Sequence, residues 1–347
     1  MENIIKKGLR VEGDNQASSR KGDHIDLAFK ASISKDQVDD RFYYEPLLSA
    51  HPASDDKLPI AIAERSMEFP IWVSSMTGGT EKAAIINENL AKICGEFGLG
   101  MGLGSCRQLL YEDKRLPEFA LREYMNEQPL FINLGVAQIE ELISSGEVDR
   151  IESLIQKLNA DGLIIHVNPL QEWCQPEGDK YKVPALTTIK YLLNEVNYPV
   201  IVKEVGQGFG KNSLTELLQL PIEALDLAGF GGTNFSMLEL IRSDKTTYDS
   251  FKNVCKIGHT CEEMIHIIND IKKDNSINIQ SKKVIISGGI KDFLDGYHLT
   301  QLCQMESLYA QASGFLRYAM NIDKLRQYTI HQIEGLKMAN AFLRIKS

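Results

Sequence analysis

Runs of apolar, often β-branched residues recur along the chain, and each ends in Gly, Ser, Thr or Asn. They are PIWVSSMTGG from Pro70, GLGMGLGS from Gly98, PLFINLG from Pro129 and GLIIHVN from Gly162. PVIVKEVG from Pro199, ALDLAGFGG from Ala224, KVIISGGI from Lys283 and SLYAQASGF from Ser307 follow. Within a run the apolar residues are continuous rather than alternating, as in strands covered on both faces. Between the runs, hydrophobicity returns with a helical period. In EKAAIINENLAKICGEFG, Ala84, Asn87, Leu90, Ala91 and Cys94 share a face and Gly98 is placed to stop the helix. The runs start about 25 to 37 residues apart, except for a longer gap between the sixth and seventh. There SMLELIRSDKTTYDSFKNVCKIGHT leaves room for an excursion. Eight strand–helix units predict a single (β/α)₈ barrel, with a doubly wound open sheet as the alternative. Residues 322–346 read as a closing helix, 1–19 as a polar, flexible N-terminal segment, and 20–347 as the barrel with its leading motif.

In such barrels the C-terminal strand ends form the working face. Here they carry Ser75, Thr77, Ser105, Asn133, His166, Asn168, Lys203, Thr233 and Ser287. His166 and Asn168 alternate along the fourth run, so both are expected to point into the barrel while Ile165 and Val167 face the helices. The loops after the seventh and eighth runs, SGGIKD and QASGFLR, occupy the usual phosphate-binding place. Gly288 and Gly289 would let backbone N–H groups approach an anion, and a helix starting at Lys291 would add its positive end. Lys203 ends an otherwise apolar strand, where it needs an anion, an electron-rich ring or a carboxylate partner.

Composition narrows the partners. The formal net charge of −9 disfavours nucleic acid and anionic membranes. Any anionic ligand must be held by local positive groups. Six irregularly spaced cysteines, with no C-x-x-C pair, argue against zinc and disulfide frameworks. No apolar run approaches the roughly 18 residues of a membrane span, and the first residues lack the apolar core of a signal peptide. A cytoplasmic protein is expected.

Six motifs occur in order: SRKGDHIDLA, SSMTGGT, HVNPLQEWCQPEGD, VIVKEVG, GFGGTNFS and SGGI. Together, from about Arg20 to Leu316, they resemble the type 2, FMN-dependent isopentenyl diphosphate isomerases. SGGI and VKE are common to many FMN barrels, and the RKxxH and strand-four motifs carry the specificity. The resemblance implies that Arg20, Lys21 and His24 grip the substrate diphosphate; Arg107, just past Ser105, is a further substrate-binding candidate. It implies that Ser75, Met76, Thr77, Ser105, Asn133, Lys203 and Thr233 contact the flavin. Gly288, Gly289, Ile290 and Lys291, with Ala312 and Ser313, would hold its phosphate. Gln171 would lie at the reacting carbons with His166 and Asn168, and Glu172 would bind magnesium. The chain departs from the family's usual residues at Gly210 (often Ser), Ile257 (often Trp) and Ser313 in ASGF (often AGxF or ARPF).

The implied reaction interconverts isopentenyl and dimethylallyl diphosphate. It is redox-neutral, so NADPH would serve only to reduce the flavin. A homo-oligomer, tetramer or octamer, is also implied. Blander readings exist for single residues: His166 as a satisfied barrel-end histidine, Glu172 as a solvated acid, Arg107 as a surface arginine, Trp173 as helix packing. Two rival functions remain. An α-hydroxy-acid oxidase would need a histidine base and arginines near the sixth strand, where GFGGTNFS has none and only His259 is nearby. A non-catalytic flavin-binding redox sensor would not need Arg20, Lys21, Gln171 or Glu172.

Overall fold

The computed structural model describes residues 17–75, 78 and 80–346. Residues 1–16 of the expected flexible segment, Met76 and Thr77 lie outside the described residues, as does the side chain of Arg20. Among the described residues, 17–42 with Lys346 form one compact unit and Tyr43–Ile345 another. In the first, helix Ala17–Leu27 carries Lys21 and His24, both exposed and one helical turn apart.

The second unit is a closed barrel of eight parallel strands in chain order. We number them β1 (Ile71–Val73), β2 (Gly100–Gly102), β3 (Leu130–Gly135), β4 (Gly162–Val167), β5 (Val200–Glu204), β6 (Ala224–Asp226), β7 (Lys283–Ser287) and β8 (Ser307–Gln311). All eight coincide with the apolar runs. Their interior is packed by Trp72, Phe131, Ile164, Ile201, Ala224, Ile285, Leu308 and Ala310. The helix after β1, Glu81–Phe97, buries Ala83, Ile86, Asn87, Leu90, Ala91, Ile93 and Cys94. It ends on Gly98 at φ 66°, a left-handed conformation that glycine adopts without strain. The long gap between β6 and β7 holds two extra helices, Phe235–Arg242 and Lys245–Phe251, before Cys261–Lys273.

Three expectations need correction. The closing helix stops at Phe342, and Leu343–Ile345 is extended. The helix after β7 starts at Phe293, not Lys291. Asp292 caps it by accepting the N–H groups of Leu294 and Asp295, and the Asp295 carboxylate takes the N–H of Lys291. Trp173 does not pack: it is 69% exposed. An unforeseen hairpin, Ile60–Ile62 with Arg65–Met67, sends Ile62 and Met67 into the barrel core. It turns through Ala63 and Glu64, at φ 52° and 64°. That backbone is normally marked by Asn-Gly, so the turn leaves no signal in this sequence.

Candidate active site

The strand register assembles the centre. His166 on β4 lies beside Lys203 on β5, and Lys203 beside Asp226 on β6. Neighbours on one rung of a parallel sheet point the same way, here into the barrel. Asp226 is 1% exposed; one of its oxygens accepts the hydroxyl of Ser287, and the other has no hydrogen-bond partner. Lys203 Nζ stands 4.0 Å from that carboxylate and donates to the Glu204 main-chain oxygen at 2.7 Å. Burial pushes the Asp226 carboxyl up from its ordinary range, and the Lys203 ammonium opposes the shift. The expected lysine–carboxylate pairing therefore exists, but across strands and through Asp226.

His166 Nδ1 lies 2.8 Å from Asn133 Oδ1. Asn133 Nδ2 donates to the Leu103 carbonyl, so its oxygen faces the histidine and Nδ1 carries the proton. Burial, then Lys203, draws the imidazole pKa down to about 4. At neutral pH His166 is an uncharged acceptor at Nε2, not a cationic clamp.

Above β5–β8 lies a cavity lined by Ser75, Lys203, Thr233, Gly288, Gly289, Ile290, Ala312 and Ser313, among others. Two of its glycines, Gly206 and Gly288, have no room for a Cβ. Gly288, at φ 95°, would place a Cβ 2.1 Å from the Gly229 carbonyl oxygen. The hydroxyls of Ser74 and Ser75 are buried without hydrogen-bond partners, and the second oxygen of Asp226 has only the Lys203 ammonium, 4.0 Å away. Buried polar groups are rarely left so unless water, an ion or a ligand completes them. These orphaned atoms and the glycine-lined wall fit a hydrogen-bonding ligand that carries a phosphate. Of the predicted cofactor residues, Ser105 and Lys291 do not line this cavity and are exposed, and Asn133 is occupied by His166.

The strand-four motif builds a second cluster. β4 ends at Val167, and Asn168 leaves the strand at the start of helix Pro169–Cys174. Asn168 does not continue the inward alternation. Its Nδ2 donates to Gln171 Oε1 at 3.1 Å and to Glu172 Oε1 at 2.9 Å, and its Oδ1 accepts from Tyr181. Gln171 Nε2 reaches Glu239 Oε1 at 3.4 Å. Glu239, 4% exposed, is further paired with Arg242. Glu172 Oε2 accepts the N–H of Asp179 at 2.7 Å. Arg107 Nη1 bonds Asp179 Oδ2 at 2.6 Å, so this half-exposed arginine is tied to the cluster.

Glu239 and Asp226 were missed from the sequence. Each left a signal. Asp226 interrupts an apolar strand, and Glu239 falls on the buried face of its helix with Ser236 and Leu240. Among the described residues no group of three or more His, Cys, Asp or Glu is placed to hold a metal. A magnesium ion shared with a diphosphate needs only one or two protein carboxylates. Each Glu172 oxygen has one donor and a second lone pair, which fits such an ion. The six cysteines are free and buried. No helix among the described residues is long and apolar enough to cross a membrane.

Gly210 and Ile257 both line a separate apolar cavity of about 450 Å³ beside β4 and β5, together with Leu170, Phe209 and His259. Ser313 lines the glycine-walled cavity.

No family model matches the chain. Among individual proteins, it is 30% identical over 333 residues to the isopentenyl-diphosphate delta-isomerase of Rickettsia africae (strain ESF-5), covering 94% of both chains. The Rickettsia felis (strain ATCC VR-1525 / URRWXCal2) enzyme of that name is 31% identical over 94% of this chain and 93% of its own. The Rickettsia prowazekii (strain Madrid E) enzyme is 33% identical over 80% and 79%. Among solved structures, a flavocytochrome b2 mutant with pyruvate bound superposes with TM-score 0.60 at 11% identity, covering 91% of this chain and 78% of that one. A mandelate oxidase mutant with an FMN adduct gives 0.56 at 12%, covering 88% of each. The structural likeness establishes the barrel fold.

Proposed function

The chain belongs to the isopentenyl-diphosphate delta-isomerase family, and we propose that it is a type 2 enzyme interconverting isopentenyl and dimethylallyl diphosphate with bound FMN and Mg2+. The observation that carries this reading is Gln171, an uncharged amide set against the buried carboxylate of Glu239. It lies in the short helix that follows β4, the strand whose His166 neighbours the cavity-lining Lys203.

Moving a double bond adds a proton at one end of an allylic unit and removes one two carbons away. An unactivated alkene is a weak base, so the acid must be well placed and water kept out. Reduced FMN, when bound, would supply an electron-rich ring face and a nitrogen able to carry a proton. Lys203, Thr233 and Ser75 would hold its ring, and the Gly288–Gly289 and Ala312–Ser313 loops its phosphate. Gln171 orients the reacting carbons without adding a charge that would quench the acid. Glu239, one hydrogen bond behind it and paired with Arg242, is a buried carboxylate that would fix the amide's orientation. His166 presents a neutral Nε2 at the same rung. Glu172, through magnesium, and Arg107, with Arg20, Lys21 and His24 from the N-terminal unit, neutralise the diphosphate. NADPH enters only as flavin reductant. A cytoplasmic homo-oligomer completes the proposal.

A hydroxy-acid oxidase is disfavoured. His259, the first histidine after the sixth strand, pairs with Glu263 at 2.8 Å and lines the apolar side cavity, not the glycine-walled one. The test is an anaerobic assay. The purified protein should be yellow. After dithionite reduction it should convert isopentenyl diphosphate in the presence of Mg2+, followed by NMR. Full activity with the flavin held oxidised, or one NADPH consumed per turnover, would overturn the mechanism.

A further inference from the structure

Asp179 occupies an unusual position in the strand-four cluster. Its side chain accepts from Arg107 Nη1 at 2.6 Å and from Gln138 Nε2 at 2.9 Å, both at Oδ2. Its backbone N–H donates to Glu172 Oε2 at 2.7 Å. Gln138 is itself fixed, since its Oε1 accepts the N–H of Gly135 at the end of β3. One residue therefore ties a cation that follows β2 and a carboxylate that follows β4 to the rim of β3. Arg107 is otherwise a long side chain, 47% exposed, with many rotamers to lose on meeting an anion. Held at one nitrogen, its guanidinium keeps the rest of its fork for a second, bidentate partner.

We propose that Asp179 is a positioning residue for the diphosphate: its carboxylate presets Arg107, and its backbone presets Glu172. The proposal rests on the functional reading above, because it takes Arg107 and Glu172 as the groups that meet the diphosphate and its metal. The two tethers differ in kind. The hold on Arg107 comes from a side chain and can be removed by substitution. The hold on Glu172 comes from the main chain and survives it.

That difference makes the proposal testable on the FMN-loaded enzyme. KM for isopentenyl diphosphate and the dissociation constant of inorganic pyrophosphate with Mg2+ are measured for wild type, Asp179→Ala, Asp179→Asn, Arg107→Ala and the double alanine variant. Asp179→Ala should raise both constants at least fivefold, with kcat changing less than KM. Asp179→Asn keeps an oxygen that accepts from Arg107 and Gln138, and should recover most of the loss. The double variant should be no worse than Arg107→Ala, because Asp179 acts through Arg107. The Mg2+ concentration for half-maximal activity should stay unchanged in Asp179→Ala. Multiplying effects in the double variant, or tighter pyrophosphate binding by Asp179→Ala, would overturn the proposal. So would a shift in Mg2+ dependence as large as that of Glu172→Gln, which would make Asp179 a metal ligand. Flavin content and melting temperature report whether Asp179→Ala folds; if it does not, Arg107→Lys keeps the charge without the fork and should reproduce its weakened pyrophosphate binding. Loss of the isomerase reading would show as an inactive wild type. The pyrophosphate measurement decides the present proposal on its own.

Discussion

The two sides of the barrel's C-terminal face are finished to different degrees. On the side of β1 and β5–β8, Ser74, Ser75 and one oxygen of Asp226 are buried without hydrogen-bond partners, beside a glycine-rich wall in which Gly206 and Gly288 have no room for a side chain. On the β3–β4 side, Asn168, Gln171, Glu172, Asp179 and Arg107 satisfy one another through short hydrogen bonds. A buried donor or acceptor left unmade costs about 1–3 kcal/mol, so the first side gains most from a ligand that stays. The second is complete alone and can trade partners at little net cost. That contrast suits a resident cofactor on one side and an exchanging substrate and metal on the other.

The most damaging way to break the contrast is to fill the permanent side. Gly288→Ala would place a Cβ 2.3 Å from the Gly229 nitrogen as well as against its carbonyl, at a positive φ. Strain of this kind costs roughly 1–3 kcal/mol before any clash is counted. The expected result is at least a hundredfold weaker FMN binding together with a lower melting temperature, read by flavin absorbance and calorimetry. Normal flavin content would show that the glycine wall does not face the cofactor.

The rung between the two sides predicts an acid weakness. In the unfolded chain His166 takes its proton near its ordinary pKa of 6.5, but in the folded protein only near 4. Between those values the unfolded state binds more protons, so stability rises with pH across the window. The contribution is intact above pH 6.5 and is lost as pH falls toward 4, amounting to about 3 kcal/mol. His166→Gln should flatten the difference in stability between pH 6.5 and 4, measured by denaturant unfolding. An unchanged slope would mean that the imidazole is not held neutral by Lys203 and its burial.

On the exchanging side, two adjacent residues should separate. Gln171→Ala removes an interaction felt most in the transition state and should lower kcat about a hundredfold with little change in KM. Glu172→Gln keeps its shape but loses the charge a hard cation prefers. It should raise the Mg2+ needed for half-maximal rate about tenfold, with flavin content unchanged. A magnesium titration of initial rates checks both. A metal shift in the glutamine variant instead would reverse the assignment.

How much of this was legible follows the same division. The eight strands could be read because strands buried on both faces must be continuously apolar. The glycine loops could be read because their place in a barrel is fixed. The partners could not. Nothing in spacing shows that Asp179 meets Arg107, or that Gln171 meets Glu239, because both contacts arise only when separate strand ends converge. Lys291 falls outside its helix because Asp292 is the better cap and Asp295 takes the Lys291 N–H. Tertiary geometry also decided Asn168, whose amide bonds the following helix turn rather than continuing the strand.

Trp173 offers the smallest effect and the cleanest control. It sits in the same short helix as Gln171 and Glu172, next to buried Cys174, and the sequence suggested that it packs the helix down. Instead it is 69% exposed, whereas Cys174 is buried with Leu240 and Cys255. The helix is therefore anchored by Cys174 and by the hydrogen bonds of Asn168, not by its largest side chain. Surface substitutions away from special features usually change stability by no more than about 0.5 kcal/mol. Trp173→Ala should stay within that range by chemical denaturation and leave the Mg2+ dependence untouched. A loss of several kcal/mol would mean that the helix depends on aromatic packing. The effects of Gln171→Ala and Glu172→Gln would then have to be separated from a general loosening of the strand-four loop.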